Sequence, residues 1–520
     1  MTFHKRMKKS LFDPISPPDG VIEVQGELRT LARGALVSTA GSFSGAFFGA
    51  ASQILIARTL GPHSYGLYAI GLVLLGILSP YTNFGLGRTA IAFGARFWKE
   101  DAARLSRVLR FTMQWSALIS ILLSLPLFVF AQPVAVVILK DPQAIPTLRV
   151  FALILPIQAM LGIGNSITLI TRKAEYSVWS DDLLQPITNL VLLAVFIGLG
   201  WGYQGVLAAA VLSFSAGMAL SLWYAWRLFP EIRLSPPASQ PTAKELLFFS
   251  SATLLPVIFI SLITYGDRLV LGALLPAAAV GVYQSAVQFS GFFALILGSV
   301  SAVFSPMIVS LHKQGQTPKL NDLYKVTTKW AFYLALPVAM VTLLVPRLVL
   351  TVFFGAQFAG AAQALQILTI GQLVNVGTGV VGMALIMTGH ARAWSVSTFL
   401  ALLASIGLNI LLTPRIGIAG TAISTAAAML VMFGIGIFQV KHSLHIWPYD
   451  RRYAKGLIAA AGSALVVSGL SRLSMPSSLL ALVLASFSAL TVFILLLLLL
   501  KLDAEDRDVL RAVSLKLFGR

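Results

Sequence analysis

Apolar blocks separated by short polar segments recur from residue 34 to residue 500. Each block is close to the ~20 residues a helix needs to cross hydrocarbon. They fall at 34–57, 67–87, 110–131, 146–170, 178–199, 205–225, 246–265, 281–304, 330–353, 361–388, 394–412, 418–440, 454–471 and 478–500. The blocks are apolar over their whole length, and several carry Gly or Pro, as spanning helices do. The pattern predicts an all-α integral membrane protein with about fourteen transmembrane helices.

Composition agrees. Of the 520 residues, 57% are hydrophobic and only 11% are charged, against roughly 25% charged in soluble domains. The net charge of +19 would suggest nucleic acid in a soluble chain. Here the basic residues lie between apolar blocks, and the membrane accounts for them. Placing residue 1 inside and alternating puts 31 of the 38 Lys and Arg on the inner side. The outer side keeps Arg58, Lys140, Arg149, Arg268, Arg347, Arg415 and Arg472. This is the positive-inside bias of a correct topology, with both termini cytoplasmic. The polar, basic segment 1–33 precedes any apolar block. It is expected to be a cytoplasmic tail and not a cleaved signal.

A shift of 215 residues superimposes separated landmarks. Gly66-Leu67-Tyr68 falls on Gly281-Val282-Tyr283, Trp179-Ser180 on Trp394-Ser395, and Gly202 and Gly205 on Gly417 and Gly420. The offset spans six helices, so both copies keep the same membrane orientation and form a parallel repeat. The expected organisation is a tail at 1–33, an N-lobe at 34–225, a cytoplasmic linker at 226–245, a C-lobe at 246–440, two further helices within 441–500, and a cytoplasmic tail at 501–520. Two such lobes can rock about a central cavity.

Several segments resemble a known family. They are Ile56 through Tyr68, Asn83 through Gly87, Asp267 through Gly272, Val280 through Tyr283, Ser305-Pro306, Phe354 through Phe358, Asn409 through Pro414, and Gly417 through Ala422. Together they resemble the polysaccharide (O-antigen type) flippase family of the multidrug/oligosaccharidyl-lipid/polysaccharide exporter superfamily. The resemblance implies a transporter in the cell inner membrane. Its substrate would be undecaprenyl-diphosphate-linked oligosaccharide, moved from the cytoplasmic to the periplasmic leaflet for O-antigen, capsule or exopolysaccharide synthesis. The lipid-linked substrate, the bilayer and the polysaccharide polymerase machinery are the implied partners.

Such a substrate needs a polar, preferably cationic path, because a charge at the bilayer centre costs several kcal/mol. The cationic candidates are Arg58, Arg88 and Arg268 at helix ends, with Arg149 and Arg347 near outer helix ends. Arginine suits phosphate through its planar donor fork; the competing role is snorkelling to ordinary headgroups. Neutral candidates pair on helix faces: Gln185 with Asn189, Gln158 with Asn165, and Gln372 with Asn375. They can line a sugar path or join neighbouring helices. Asp181, Asp182 and Asp267 are the candidates for ion coupling. The alternatives are N-capping for the first two and pairing with Arg268 for the third. The glycines of the first block, Gly41, Gly45 and Gly49, are expected to allow close helix packing.

The sequence holds no Gly-rich phosphate loop, no zinc spacing and no cysteine, so neither cofactor nor metal is expected. The chain is expected not to be an enzyme. A sugar polymerase or ligase would need a large outer loop bearing acid or base groups, and the outer loops here are short. A small-molecule antiporter of the multidrug branch shares the two-lobed fold. It would need carboxylates in the cavity to take cations.

Overall fold

A computed structural model describes residues 24–233, 242–251, 254–470 and 478–500. Part of the expected linker (234–241), most of the expected N-terminal tail and the whole of the expected C-terminal tail lie outside them. Helix is the regular structure throughout, with no strand among the described residues. Twelve stretches are long and apolar enough to cross a membrane. A bent pair, Ala356–Thr378 with Val381–Met387 at 41°, makes a thirteenth.

The first stretch begins inside Val24–Asn83, which is broken at Gly61 (φ 78°, ψ −180°). That backbone is open to glycine at no steric cost. Pro62 then starts a new helix, where its missing N–H is no loss. The two arms, 24–60 and 62–83, are α1 and α2. They are followed by α3 (Leu86–Phe97), α4 (Ala102–Val129), α5 (Ala144–Thr168), α6 (Glu175–Gly198) and α7 (Gly202–Leu228). Next come α8 (Ala243–Ser251), α9 (Leu254–Leu274), α10 (Ala277–Lys313), α11 (Thr317–Leu344) and α12 (Pro346–Phe354). The chain continues through α13 (Ala362–Thr378), α14 (Val381–Met387), α15 (Ala391–Ile416), α16 (Ile418–Leu444), α17 (Arg452–Leu470) and α18 (Ser478–Leu499).

Several helix ends differ from the hydropathy reading. The block at 67–87 stops at Asn83, and Phe84 and Gly85 turn the chain with positive φ before α3. The block at 330–353 begins instead at Thr317, because its first three turns are polar (Lys319, Asn321, Asp322, Lys325) and escape an apolar window. It then breaks at Val345, since Pro346 starts α12. The block at 361–388 breaks at Gly379 (φ 72°), where a side chain would also strike Thr328. The block at 246–265 continues to Leu274. Arg268 is therefore inside a helix and not in an outer loop.

Helices α1 to α7 pack against one another, and α9 to α16 form a second group. In α5 a carbonyl freed by an internal proline finds a new partner, which suits a helix in a membrane. Pro156 of α5 cannot bond the Ala152 carbonyl, and Ser124 of α4 donates to it at 2.7 Å. Helices α17 and α18 pair with each other and lie against α11. Tyr333 of α11 anchors them, its hydroxyl donating to the Arg452 carbonyl at 2.6 Å and its ring lying edge-on to Phe493.

The two groups meet through α1 and α2 against α9 and α10. At the crossing of α2 with α10, a methyl on Gly66 would overlap the Ala277 carbonyl, and a methyl on Gly281 would overlap the Pro62 carbonyl. The contact is reciprocal, and the same offset of 215 residues relates both pairs. An apolar core spans the seam, joining Tyr65, Leu67 and Ile70 with Leu271, Val280 and Tyr283.

Candidate functional site

The polar side chains inside the helices gather in two places. The first is within the N-terminal group, around α6. Its helix winds with five-residue hydrogen bonding from Val178 to Leu184 before returning to α-helix at Gln185. Pro186 has no N–H for the Asp182 carbonyl, which favours the wider turn here. Such wide turns recur at functional sites. Asp181 and Asp182 lie inside this turn, about two turns past the capping position; the helix itself starts at Glu175. They are not N-caps, which corrects that alternative. Asp181 is exposed and Asp182 half-buried.

Helix α1 lies directly on this turn. A methyl on Gly41 would strike Val178, and one on Gly45 would stand 2.8 Å from the Asp182 carbonyl oxygen. The close packing expected of these two glycines is what the structure has. Gly49 has open space around it instead.

Behind the turn, the amides and hydroxyls link α5, α6 and α7. Asn165 is buried, and its Oδ1 accepts from Ser180 at 2.7 Å and Ser221 at 2.8 Å. Ser213 accepts from Asn189 at 3.2 Å and from Gln185 at 3.5 Å. Asn165 is therefore a helix-joining residue. Gln158 differs: its Oε1 is buried with no partner. The Oδ1 of Asn189 and the hydroxyl of Ser52 are in the same state. A buried unpaired polar atom costs about 1–3 kcal/mol, so these three are the natural places for a polar ligand or water.

The second gathering is the seam between the groups. Arg268 and Asp267 are almost fully buried, 5% and 3% exposed. Arg268 Nε lies 3.2 Å from Asp267 Oδ1, its Nη1 donates to Gln284 Oε1 at 2.9 Å, and its Nη2 donates to the Thr264 carbonyl. Asp267 Oδ2 accepts from Tyr283 at 2.8 Å and Thr425 at 3.1 Å. Gln284 Nε2 then crosses to Gln53 Oε1 of α1 at 3.1 Å, which also accepts from Tyr65 at 2.9 Å. Charge inside the membrane is tolerated where it is paired, and here each guanidinium nitrogen of Arg268 and each carboxylate oxygen of Asp267 has a partner. Asp267 pairs with Arg268, as its simplest reading holds.

The remaining candidates stand apart from both gatherings. Arg58 is exposed and reaches across to α12, donating to the Phe353 carbonyl at 2.8 Å and to the Val352 carbonyl. A cation at a helix C-terminus is favourable, and this one ties the two groups together. It borders a cleft of about 520 Å³ with Gly355 and Gln357. Arg88 is exposed in the first turn of α3 and does not end α2. Arg149 is exposed with its guanidinium 5.7 Å from the Phe128 ring, and Arg347 is exposed. Asn375 donates to Gln372 at 3.1 Å, so that pair satisfies itself in part. The arginines do not converge on one point.

Sequence reasoning missed Gln53, Tyr65, Gln284, Thr425 and Lys329. Lys329 was assigned to an inner loop, but it sits inside α11 and is 1% exposed. Among the described residues no group of three or more His, Asp or Glu could hold a metal ion.

The family model described as "Polysaccharide biosynthesis protein" matches residues 55–363, more than half of the chain. The chain belongs to this family. Within curated sequences it is similar to the probable low-salt glycan biosynthesis flippase Agl15 of Haloferax volcanii. The two are 23% identical over 394 residues, covering 74% of this chain and 79% of Agl15. Its fold matches that of the lipid II flippase MurJ in an inward closed conformation, with a TM-score of 0.70 and 13% identity, over 89% of this chain and 98% of MurJ. It also matches an inward-facing multidrug resistance MATE transporter of the MOP superfamily, with a TM-score of 0.63 and 20% identity, over 79% and 99%. This member of the polysaccharide biosynthesis family thus has the helical fold of membrane transporters, and the relatives named here are transporters.

Proposed function

We propose that this protein flips undecaprenyl-diphosphate-linked oligosaccharide from the cytoplasmic to the periplasmic leaflet by alternating access. The observation that carries the reading is the pairing of a polysaccharide biosynthesis family match with a fold like that of the lipid II flippase MurJ. We read α1 and α2 as separate crossings, which brings the spans to fourteen. Residues 34–225 and 246–440 are then the two lobes. The reciprocal contact of Gly66 and Gly281 supports the parallel repeat.

In this reading the α2–α10 crossing, the Gln53–Gln284 bond and the Arg58 clasp close one face. Loop charge makes it the periplasmic face. The headgroup enters from the opposite side, along α1 and the wide turn of α6. Gln158, Gln185 and Asn189 meet sugar hydroxyls, and the arginines of the parted seam meet the diphosphate. Asp181 and Asp182 carry the coupling ion. The lipid tail stays in the bilayer.

A small-molecule antiporter is the second reading. It is favoured by one observation: Asp181 and Asp182 adjoin each other, and among the described residues neither carboxylate has a hydrogen bond or ion pair. Reconstitution decides between them. The purified chain in vesicles with a fluorescent lipid-linked oligosaccharide should make the inner-leaflet pool accessible to an external glycosidase. No gain in accessibility over protein-free vesicles, with proton-coupled efflux of an organic cation, would replace the flippase by the antiporter.

A further inference from the structure

The offset of 215 residues pairs two buried clusters that satisfy their polar groups differently. In the second group of helices the cluster is Asp267, Tyr283 and Thr425, and the carboxylate accepts from the two hydroxyls at 2.8 and 3.1 Å. The same offset gives Ser52, Tyr68 and Ala210 in the N-terminal group. The tyrosine is kept. Serine stands for the aspartate and alanine for the threonine, so two side chains are shorter and the carboxylate that joined the cluster is replaced by a hydroxyl. A new polar group comes from α6: Asn189 stands for Ala404, and the Tyr68 hydroxyl lies beside its amide.

Helix packing brings Ser52 to the same place. Gly41 packs on Val178 and Gly45 on Asp182, so α1 and α6 run side by side in one direction. Ser52 is seven residues past Gly45, and Asn189 is seven past Asp182. Both therefore stand about two turns further on, level with each other. They are almost fully buried, 4% and 5% exposed. Among the described residues the Ser52 hydroxyl has no hydrogen-bond partner, and neither has Asn189 Oδ1, whose amide nitrogen donates to Ser213. A serine inside a helix commonly donates to the carbonyl four residues back, as Ser44 does to Ala40. Ser52 does not. An unused donor and an unused acceptor thus stand level on neighbouring helices, beside a tyrosine hydroxyl, without bonding each other.

We propose that Ser52, Tyr68 and Asn189 hold one ordered water, in the place that the Asp267 carboxylate takes in the second group. A water accepts from Ser52 and donates to Asn189 Oδ1 at once, and about three polar partners are typical of a buried water. None of the three side chains is charged, so a cation there would lie uncompensated inside the membrane at high cost. The site therefore selects a neutral ligand. Its consequence lies at the seam. Gln53, which accepts from Gln284, is the next residue after Ser52, and the water fixes the step of α1 that presents it. The inference uses only the repeat offset and the packing of α1 on α6, and it stands whichever substrate is carried.

The test is radiolytic hydroxyl-radical footprinting of the full chain in nanodiscs, irradiated immediately after mixing into heavy-oxygen water and read by mass spectrometry. A bound water makes radicals beside its own ligands. Tyr68 should be oxidised despite its burial, and with light oxygen, from the water it held before mixing. Tyr283 is the internal control. It is also buried, but its hydroxyl is bonded to Asp267, so it should stay unlabelled. Ser52→Asn supplies a neutral amide of the shape of aspartate. It should displace the water, lower the Tyr68 label several-fold, and leave the thermal midpoint unchanged or higher. Ser52→Ala removes one of the three partners without adding bulk; as the second variant it should also lower the light-oxygen label. Tyr68 as unlabelled as Tyr283 in the unaltered protein overturns the proposal. So does a label made wholly of heavy oxygen, which marks entry of bulk water, or a label unchanged in both variants.

Discussion

At the residue scale, two kinds of buried polar group behave differently. Asn165 Oδ1 accepts two hydrogen bonds, and Gln158 Oε1 has no partner among the described residues. Asn165→Ala removes the acceptor that joins Ser180 to Ser221, whose hydroxyls keep the Tyr176 and Leu161 carbonyls, and should destabilise the protein by about 0.5–1.5 kcal/mol, read as a lower midpoint in a thermal melt. Gln158→Leu removes an unpaired carbonyl and should leave the midpoint equal or higher. If Gln158 serves the sugar path, transport falls in that variant all the same. A stable Gln158→Leu protein that transports normally would remove the residue from the path. The seam ion pair obeys a related asymmetry. Arg268→Leu leaves Asp267 charged and buried, at a cost of about 3–5 kcal/mol. Adding Asp267→Leu to it should recover most of the loss, because replacing a whole buried pair by apolar side chains is often close to neutral. A double variant as unstable as the single one would mean that Tyr283, Thr425 and Gln284, and not the charge, set the cost.

At the element scale, most of the spans were legible because hydrocarbon thickness and backbone satisfaction leave the chain little choice. What hydropathy could not see were the amphipathic first turns of α11 and the breaks at Val345 and Gly379, where a proline or a positive φ decides and not apolarity. The wide turn of α6 was also invisible, so N-capping stood as the alternative to ion coupling for Asp181 and Asp182. Of the site, the amides on α5 and α6 were legible from their helical spacing. The seam was not: Gln53 and Gln284 are 231 residues apart, and no spacing along either helix marks the one as the partner of the other. A signal did exist. The offset of 215 that pairs Gly66 with Gly281 also places Ser52 on Asp267 and Gln53 on Arg268. The crossing of α2 and α10 is the element this repeat builds, and it tolerates no side chain. Gly66→Ala should therefore disfavour the closed seam without unfolding either group. Gln284→Cys, otherwise buried, should then react with a maleimide several-fold faster than in the Gly66 parent. Unchanged reactivity would mean that the crossing yields locally and does not govern the seam.

At the scale of the whole molecule, the three cross-group ties differ in kind. The Gly66–Gly281 crossing is shape, the Gln53–Gln284 bond is neutral, and Arg58 on the Val352 and Phe353 carbonyls is charge on a helix end. None of them buries an unpaired group when the seam is shut. In the proposed alternating access, opening would exchange these partners of the amides and the guanidinium for water or substrate. The seam would then be a two-state element whose balance a ligand can shift only through a difference in affinity between the states. A covalent tie tests this directly, and the absence of native cysteine gives a silent background. Gln53→Cys with Gln284→Cys, bridged by a short bis-methanethiosulfonate reagent, should stop transport in proteoliposomes and restore it on reduction. Each single-cysteine variant treated alike should keep transporting, which separates the tie from the loss of the amides. Undiminished transport by the bridged protein would mean that the seam never parts, and alternating access about it would have to be given up.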